Sequence, residues 1–251
     1  MTASVRPGDA RVVAVIQARM GSSRLPGKVL RALGGRAVLG WVVRAAQLAA
    51  GVDEVVVATS RAAEDDAIED FARAAGVAVV RGSEDDVLDR YVAAAAAHQA
   101  DAVVRLTSDC PLLDPAVIGG VVALWRADPA LEYVATTLVR TLPRGLDVEL
   151  VAVPALRRAW AEATGHHRSH VTSWLYRAES LVPRGGAVFA PDASRLRVTL
   201  DEQADAELLD AVVDALGDRV IPVRELVSFL QSRPDIVAIN RHVEQKALEQ
   251  G

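Results

Sequence analysis

Short valine-rich runs alternate with segments of helical period through the first half of the chain, and that alternation leaves few architectures open. Residues 11–17, 54–59, 77–81 and 102–106 are apolar almost throughout. Between them, residues 38–49, 65–75 and 87–99 place apolar side chains three and four apart, the spacing of one helix face. Helix starts are expected at Ser60 before Glu64-Asp65-Asp66, at Ser83 before Glu84-Asp85-Asp86, and at Asp114-Pro115. Gly51 and Gly76 follow two helices where a left-handed cap belongs. Strands with apolar residues on both faces must be covered on both faces. The pattern therefore predicts an α/β chain with a mostly parallel sheet.

After Leu131 the rhythm changes. Strands are expected at 132–137 and 146–150, a helix at 153–163, a histidine-rich turn at 165–170 and a further helix at 171–177. A strand at 195–200 and helices at 203–216, 222–230 and 235–247 complete the reading. No low-complexity linker or internal repeat divides the sequence. Residues 1–251 read as a single domain, with about 131–190 as a substrate-binding subdomain or lid.

At 51% hydrophobic residues the chain can bury a large core, yet no apolar run is long enough to span a bilayer. Residues 1–10 lack the apolar segment of a signal peptide or anchor. The net charge of −5 argues against nucleic acid as the main partner and makes any anion site a local positive pocket. Cys110 is the only cysteine, which fits a reducing cytoplasm. With no histidine beside it, Cys110 reads as a packing residue.

The first strand empties into Gln17-Ala18-Arg19-Met20-Gly21-Ser22-Ser23-Arg24-Leu25-Pro26-Gly27-Lys28. Backbone N–H groups freed by glycine, together with Arg19, Arg24 and Lys28, are what a polyphosphate requires. A Walker A loop is excluded. Gly21 and Gly27 are one residue too far apart, Pro26 lies inside the turn, and Val29 replaces the metal-binding hydroxyl. A solvated basic loop is the alternative; glycine and proline punctuation directly after a strand favours phosphate.

Three more polar clusters sit at strand ends, where open α/β sheets bind ligands. Asp109 ends the fourth apolar run, with Pro111 stopping the strand, and Asp201 ends the run 195–200. Two such carboxylates could hold one Mg²⁺, a cation that takes oxygen ligands and shares its shell with phosphates. Each could equally be a helix cap, as Asp114 is expected to be. Asp147 and Glu149 share one strand face, open to a substrate's hydroxyls or to solvent. His170 could contact an anion or cap a helix, and the trio His166, His167 and His170 is a poor zinc set without nearby cysteine.

In this order the chain carries A-R-M-G-S-S-R-L-P-G-K, R-L-T-S-D-C-P-L-L-D-P, P-R-G-L-D-V-E, H-V-T-S-W-L-Y, R-V-T-L-D-E and I-N-R-H-V-E-Q-K. Together these resemble the cytidylyltransferases of the spore-coat polysaccharide biosynthesis type, relatives of the 3-deoxy-manno-octulosonate and acylneuraminate cytidylyltransferases. The resemblance runs from Arg11 to about Lys246. It implies a Rossmann-like three-layer α/β/α nucleotide-diphospho-sugar transferase fold and transfer of CMP from CTP to an acceptor with release of pyrophosphate. Gln17, Ala18, Arg19, Gly21, Ser22, Arg24 and Lys28 would bind the nucleotide, and Asp109 and Asp201 would hold Mg²⁺. Arg19, Lys28 and Asp109 would be catalytic, and Arg144, Asp147, Glu149 and His170 would face the acceptor. A homodimer is expected, with Ile236, Val237 and Ile239 packing across a twofold.

Two departures bear on the acceptor. Ser169 stands where the family commonly has an acid, and Leu200-Asp201-Glu202-Gln203-Ala204-Asp205 replaces the usual V-D-T-P-E-D. Two rivals remain: a transferase using another nucleotide and a sugar 1-phosphate, and a non-catalytic nucleotide-binding subunit. Intact Lys28, Asp109 and Asp201 argue against the second.

Overall fold

The computed structural model describes residues 9–177 and 179–245. The first strand, β1 (Val12–Gln17), leads through the loop to a small hairpin of β2 (Ala32–Leu33) and β3 (Arg36–Ala37). Then follow α1 (Val38–Gln47), β4 (Glu54–Ser60), α2 (Asp66–Ala74), β5 (Ala78–Gly82), α3 (Val87–Ala97), β6 (Ala102–Thr107) and α4 (Pro115–Ala127). The remaining elements are β7 (Tyr133–Ala135), β8 (Glu149–Ala152), α5 (Val153–Glu162), α6 (His166–Ser169), β9 (Arg184–Gly186), α7 (Gln203–Leu216), α8 (Val223–Ser232) and α9 (Pro234–Ile239).

Seven strands form one sheet in the order β5-β4-β1-β6-β8-β7-β9. The neighbours β5-β4, β4-β1, β1-β6 and β7-β9 pair parallel, while β8 runs antiparallel to both β6 and β7. Alternation along β1 supplies both cores. Val12, Ala14 and Ile16 face the layer of α1, α4, α7 and α8, and Val13 and Val15 face α3 and α5. The expected mostly parallel sheet between helical layers is what the chain forms.

Several boundaries differ from expectation, for local reasons. Ser60 does not cap a helix. It ends β4, and its hydroxyl donates to Asp65. The cap of α3 is Asp86, accepting from Asp89 N, and the Ser83 hydroxyl accepts from Asp86 N. Asp114 does cap α4, accepting from Ala116 N, and its second oxygen accepts from Val223 N. Residues 171–177 form turns rather than a helix, beginning with Val171 at φ 50, a value unfavourable for a β-branched residue. Residues 195–200 make a single bridge, Arg144 to Arg197, instead of a ladder strand. The last expected helix ends at Ile239, and residues 246–247 of that expectation lie outside the described residues. Ile236 is buried in the chain's own core, and Val237 and Ile239 are half-buried against it.

Candidate active site

The chain leaves β1 toward β4 and β5 and comes back on β1's other side as β6, so the crevice beyond β1 and β6 is the sheet's switch point. Their ends are level, with Gln17 opposite Thr107. Beneath them the buried Tyr91 Oη donates to the Val15 carbonyl at 3.2 Å and to Gln17 Oε1 at 3.3 Å.

The loop after β1 is shaped from within and from below. Gly27 sits at φ 69, and its N–H donates to the Met20 carbonyl at 3.0 Å, closing the turn that presents Lys28. Met20 N donates to Asp65 Oδ1 at 2.7 Å, while Ser60 N and Oγ donate to Asp65 Oδ2. Burial alone would raise the Asp65 pKa, but the bonds from Ser60 and Met20 outweigh it and leave it below the usual value. Asp65 therefore fastens the loop after β1 to the end of β4. In the sequence it reads as a first-turn helix acid. The sequence carried no sign that a carboxylate at a helix start would reach back 45 residues.

Lys28 is the centre of the site. Its Nζ donates to Asp109 Oδ2 at 2.9 Å, Asp201 Oδ1 at 2.8 Å and the Leu200 carbonyl at 2.6 Å. Burial pulls the ammonium's pKa down, yet Asp109 and Asp201 together more than reverse this, and the group is raised above its ordinary value. The Asp109 and Asp201 segments are also joined through backbone, by Leu200 N to the Asp109 carbonyl at 2.8 Å. Asp201 takes two more cations, Arg197 Nη2 at 2.8 Å and Arg24 Nη2 at 3.3 Å. Burial opposes ionisation of Asp201, and Lys28, Arg197 and Arg24 overcome it, holding the pKa low.

The helix cap expected as an alternative for Asp201 falls to its neighbour. Glu202 caps α7 in a reciprocal box with Asp205, whose Oδ2 accepts from Asp201 N and Glu202 N. Arg197, unremarked in the sequence, bonds Asp205 through Nε and Nη2 as well as Asp201, and so orients the Asp201 carboxylate.

The residues expected at the acceptor divide. Asp147 is held by Arg140 at 2.6 and 3.1 Å. Glu149 does not share an open strand face with it. It is 7% exposed, bonded to Arg105 at 2.9 Å and to Tyr133 Oη at 3.0 Å, and so supports the floor rather than facing an acceptor. Arg144 lines a cavity with Arg195, Arg197 and Arg241. His170 follows α6 and is half-buried, with α6 strapped to the start of α3 by Arg168 and Asp86. In the loop after β1, Arg24 pairs with Glu202 at 2.8 Å, and Arg19 stands exposed without an ion pair among the described residues.

Arg90 is a further residue that sequence reading passed over. It is 2% exposed, and its Nε and Nη1 find no hydrogen-bond partner among the described residues. Burial lowers its pKa, and the nearby Arg19 cation lowers it further. Gly82 makes room for it, because a Cβ there would lie 2.7 Å from Arg90 Cγ. In sequence it is one more arginine on an amphipathic helix; only packing reveals unmet donors beside the loop.

Residues 13–210 match the family model described as Cytidylyltransferase. The chain belongs to the cytidylyltransferase family. This cytidylyltransferase is 33% identical over 235 residues to the spore coat polysaccharide biosynthesis protein SpsF of Bacillus subtilis, covering 89% of this chain and 95% of that one. It is 36% identical over 163 residues to a 3-deoxy-manno-octulosonate cytidylyltransferase of Anaeromyxobacter dehalogenans, covering 64% of each. Its fold superimposes on a cytidylyltransferase from Leptospira borgpetersenii with a TM-score of 0.88 and 28% identity, over 95% of this chain and 100% of the other. The expected Rossmann-like nucleotidyltransferase fold and enzyme class are those of the family.

Proposed function

We propose that this cytidylyltransferase transfers CMP from CTP to a sugar acid, phosphonate or related acceptor and releases pyrophosphate, with Mg²⁺ held by Asp109 and Asp201. The observation that carries this reading is the convergence of both carboxylates on Lys28 Nζ at the switch point of the sheet. Two carboxylate oxygens already gathered around one cation are hard donors of the kind Mg²⁺ takes. No group of three or more His, Cys, Asp or Glu suited to a metal occurs among the described residues, so substrate phosphates would complete the shell. The name of the 3-deoxy-manno-octulosonate relative supports CTP as donor and a sugar acid as acceptor.

In the reaction an acceptor oxygen attacks the α-phosphorus, a new P–O bond forms, and the bond to the β-phosphate oxygen breaks as pyrophosphate leaves. Bound Mg²⁺ would supply charge neutralisation at the phosphate oxygens. Lys28 keeps Asp109 and Asp201 together before substrate arrives, and turns its charge to the phosphates once those carboxylates have another cation to hold. Arg19, free of internal pairing, and Arg24 meet the remaining phosphate charge. Arg90 offers its two unmet N–H groups to acceptor atoms of the nucleotide.

A cytoplasmic homodimer completes the reading. A single buried, unpaired cysteine fits the compartment, and Leu181 and Val188, exposed beside the edge strand β9, offer a surface for a second copy. No helix among the described residues is long and apolar enough to cross a membrane.

The test is pyrophosphate release with CTP, UTP, GTP and ATP, each offered sugar acids, a phosphonate and sugar 1-phosphates in the presence of Mg²⁺. Turnover of CTP with a sugar acid or phosphonate is expected, falling at least ~10²-fold in Asp109→Asn. Turnover confined to another nucleotide with a sugar 1-phosphate would replace this reading.

A further inference from the structure

We propose a second anion site in this protein: an arginine-lined cavity behind Asp201 that takes a small organic polyanion, a carbon skeleton bearing two or more carboxylate or phosphate groups. The cavity holds about 500 Å³ and is lined by Arg144, Arg195, Arg197 and Arg241 together with apolar residues such as Leu196 and Val237. That volume lies within the range of metabolite pockets. Among the described residues no carboxylate lines it, although the chain as a whole carries a net charge of −5.

The four arginines are not equivalent. Arg197 is neutralised by Asp201 and Asp205. Arg144, Arg195 and Arg241 form no ion pair among the described residues, so three guanidinium groups line the cavity without a carboxylate bonded to them. Like charges gathered around one space repel, and a bound anion removes that cost. Guanidinium forks match carboxylate and phosphate geometry, which sets the chemistry of the polar end. The apolar lining sets the rest, because an inorganic ion alone would leave the half-buried Leu196, Val237 and Val243 facing water. Burial and the neighbouring Arg140 and Arg197 lower the Arg144 pKa by more than Asp147 and Asp201 raise it.

Position gives the cavity a consequence. Arg197 forms part of its wall and donates to Asp201 Oδ2 at 2.8 Å, so an occupant lies one side chain from the carboxylate that faces Lys28. Two sources of such an anion fit this geometry: the acceptor itself, or an effector acting on Asp201 through Arg197. The assignment does not depend on CTP being the donor, because binding is measured without nucleotide.

The experiment is calorimetric titration of the nucleotide-free, metal-free protein with 3-phosphoglycerate, which carries one carboxylate and one phosphate, and with inorganic phosphate for comparison. Saturable 1:1 binding of 3-phosphoglycerate is expected, tighter than that of phosphate. Arg144→Gln and Arg241→Gln should each weaken it by about tenfold or more, and Arg24→Gln should leave it unchanged. Absence of saturable binding overturns the proposal. So does binding lost in Arg24→Gln but kept in Arg241→Gln, which would place the anion in the nucleotide loop. In the pyrophosphate assay, inhibition by 3-phosphoglycerate competitive with the acceptor identifies the cavity as the acceptor's, and non-competitive inhibition or activation identifies an effector site.

Discussion

An ammonium held between two carboxylates has different work before and after a substrate arrives. Without ligand, Lys28 cancels the repulsion of Asp109 and Asp201 and keeps their segments in register. A divalent cation seeking the same oxygens competes with it directly. In Lys28→Met the carboxylates lose that competitor, so Mn²⁺ followed by EPR without nucleotide should bind at least about tenfold more tightly than to the natural protein, while turnover falls ~10²-fold or more. Equal Mn²⁺ affinity in the two proteins would show that Lys28 does not occupy the cation's place. Arg90 gives the opposite combination of effects. Its removal in Arg90→Met takes away a buried cation with unmet donors, so folding stability by urea unfolding should stay within about 1 kcal/mol of the natural protein or rise. CTP affinity should fall about tenfold. A large loss of stability with unchanged CTP affinity would make Arg90 a structural residue alone.

At the scale of elements, the segment that carries Asp201 is held by very little regular structure. One bridge joins Arg144 to Arg197, and Gly145 makes it possible, at φ 104 with Thr199 N only 2.5 Å from where a Cβ would stand. Gly145→Ala should therefore cost about 1–3 kcal/mol in urea unfolding and also weaken Mg²⁺-dependent nucleotide binding. Loss of stability with intact binding would separate the bridge from the site. The same scale explains what the sequence disclosed. The runs behind β1, β4 and β6 were legible because strands buried on both faces are apolar throughout, and α1, α3 and α7 because their apolar period is unbroken. Strand β9, with two glycines in three residues, carries no such pattern. Residues 171–177 do carry a helical one, which Val171 at φ 50 interrupts. Lys28, Asp109 and Asp201 were legible as loop and strand-end residues. Asp65, Arg90 and Arg197 were not, because their roles come from partners distant in sequence or from the lack of any.

For the molecule as a whole, the ion pairs of the site tie stability to pH at both extremes. Asp65, Asp201 and Asp205 have pKa values below the ordinary 3.8, so their contribution is complete above about pH 4 and is lost as pH falls through the folded values. Lys28 is raised above 10.5, so its contribution is complete below that pH and is lost as pH rises through the folded value. Asp205 opposes its own burial through Arg197, Asp201 N and Asn240, and its side chain is fully buried. Asp205→Asn should therefore be less stable than the natural protein at about pH 6, with the gap closing as pH falls toward 2. A gap independent of pH would mean that Asp205 gains nothing from ionisation.

The proposed reaction depends on one arrangement, in which a nucleotide and a cation are bound together over Lys28, Asp109 and Asp201. Calorimetric titration with CTP, with and without Mg²⁺, in the natural protein and in Asp109→Asn, tests it most directly. Tight CTP binding is expected only with Mg²⁺, with that Mg²⁺ dependence lost in Asp109→Asn. CTP binding that is indifferent to Mg²⁺, or equally Mg²⁺-dependent without the Asp109 carboxylate, would contradict it.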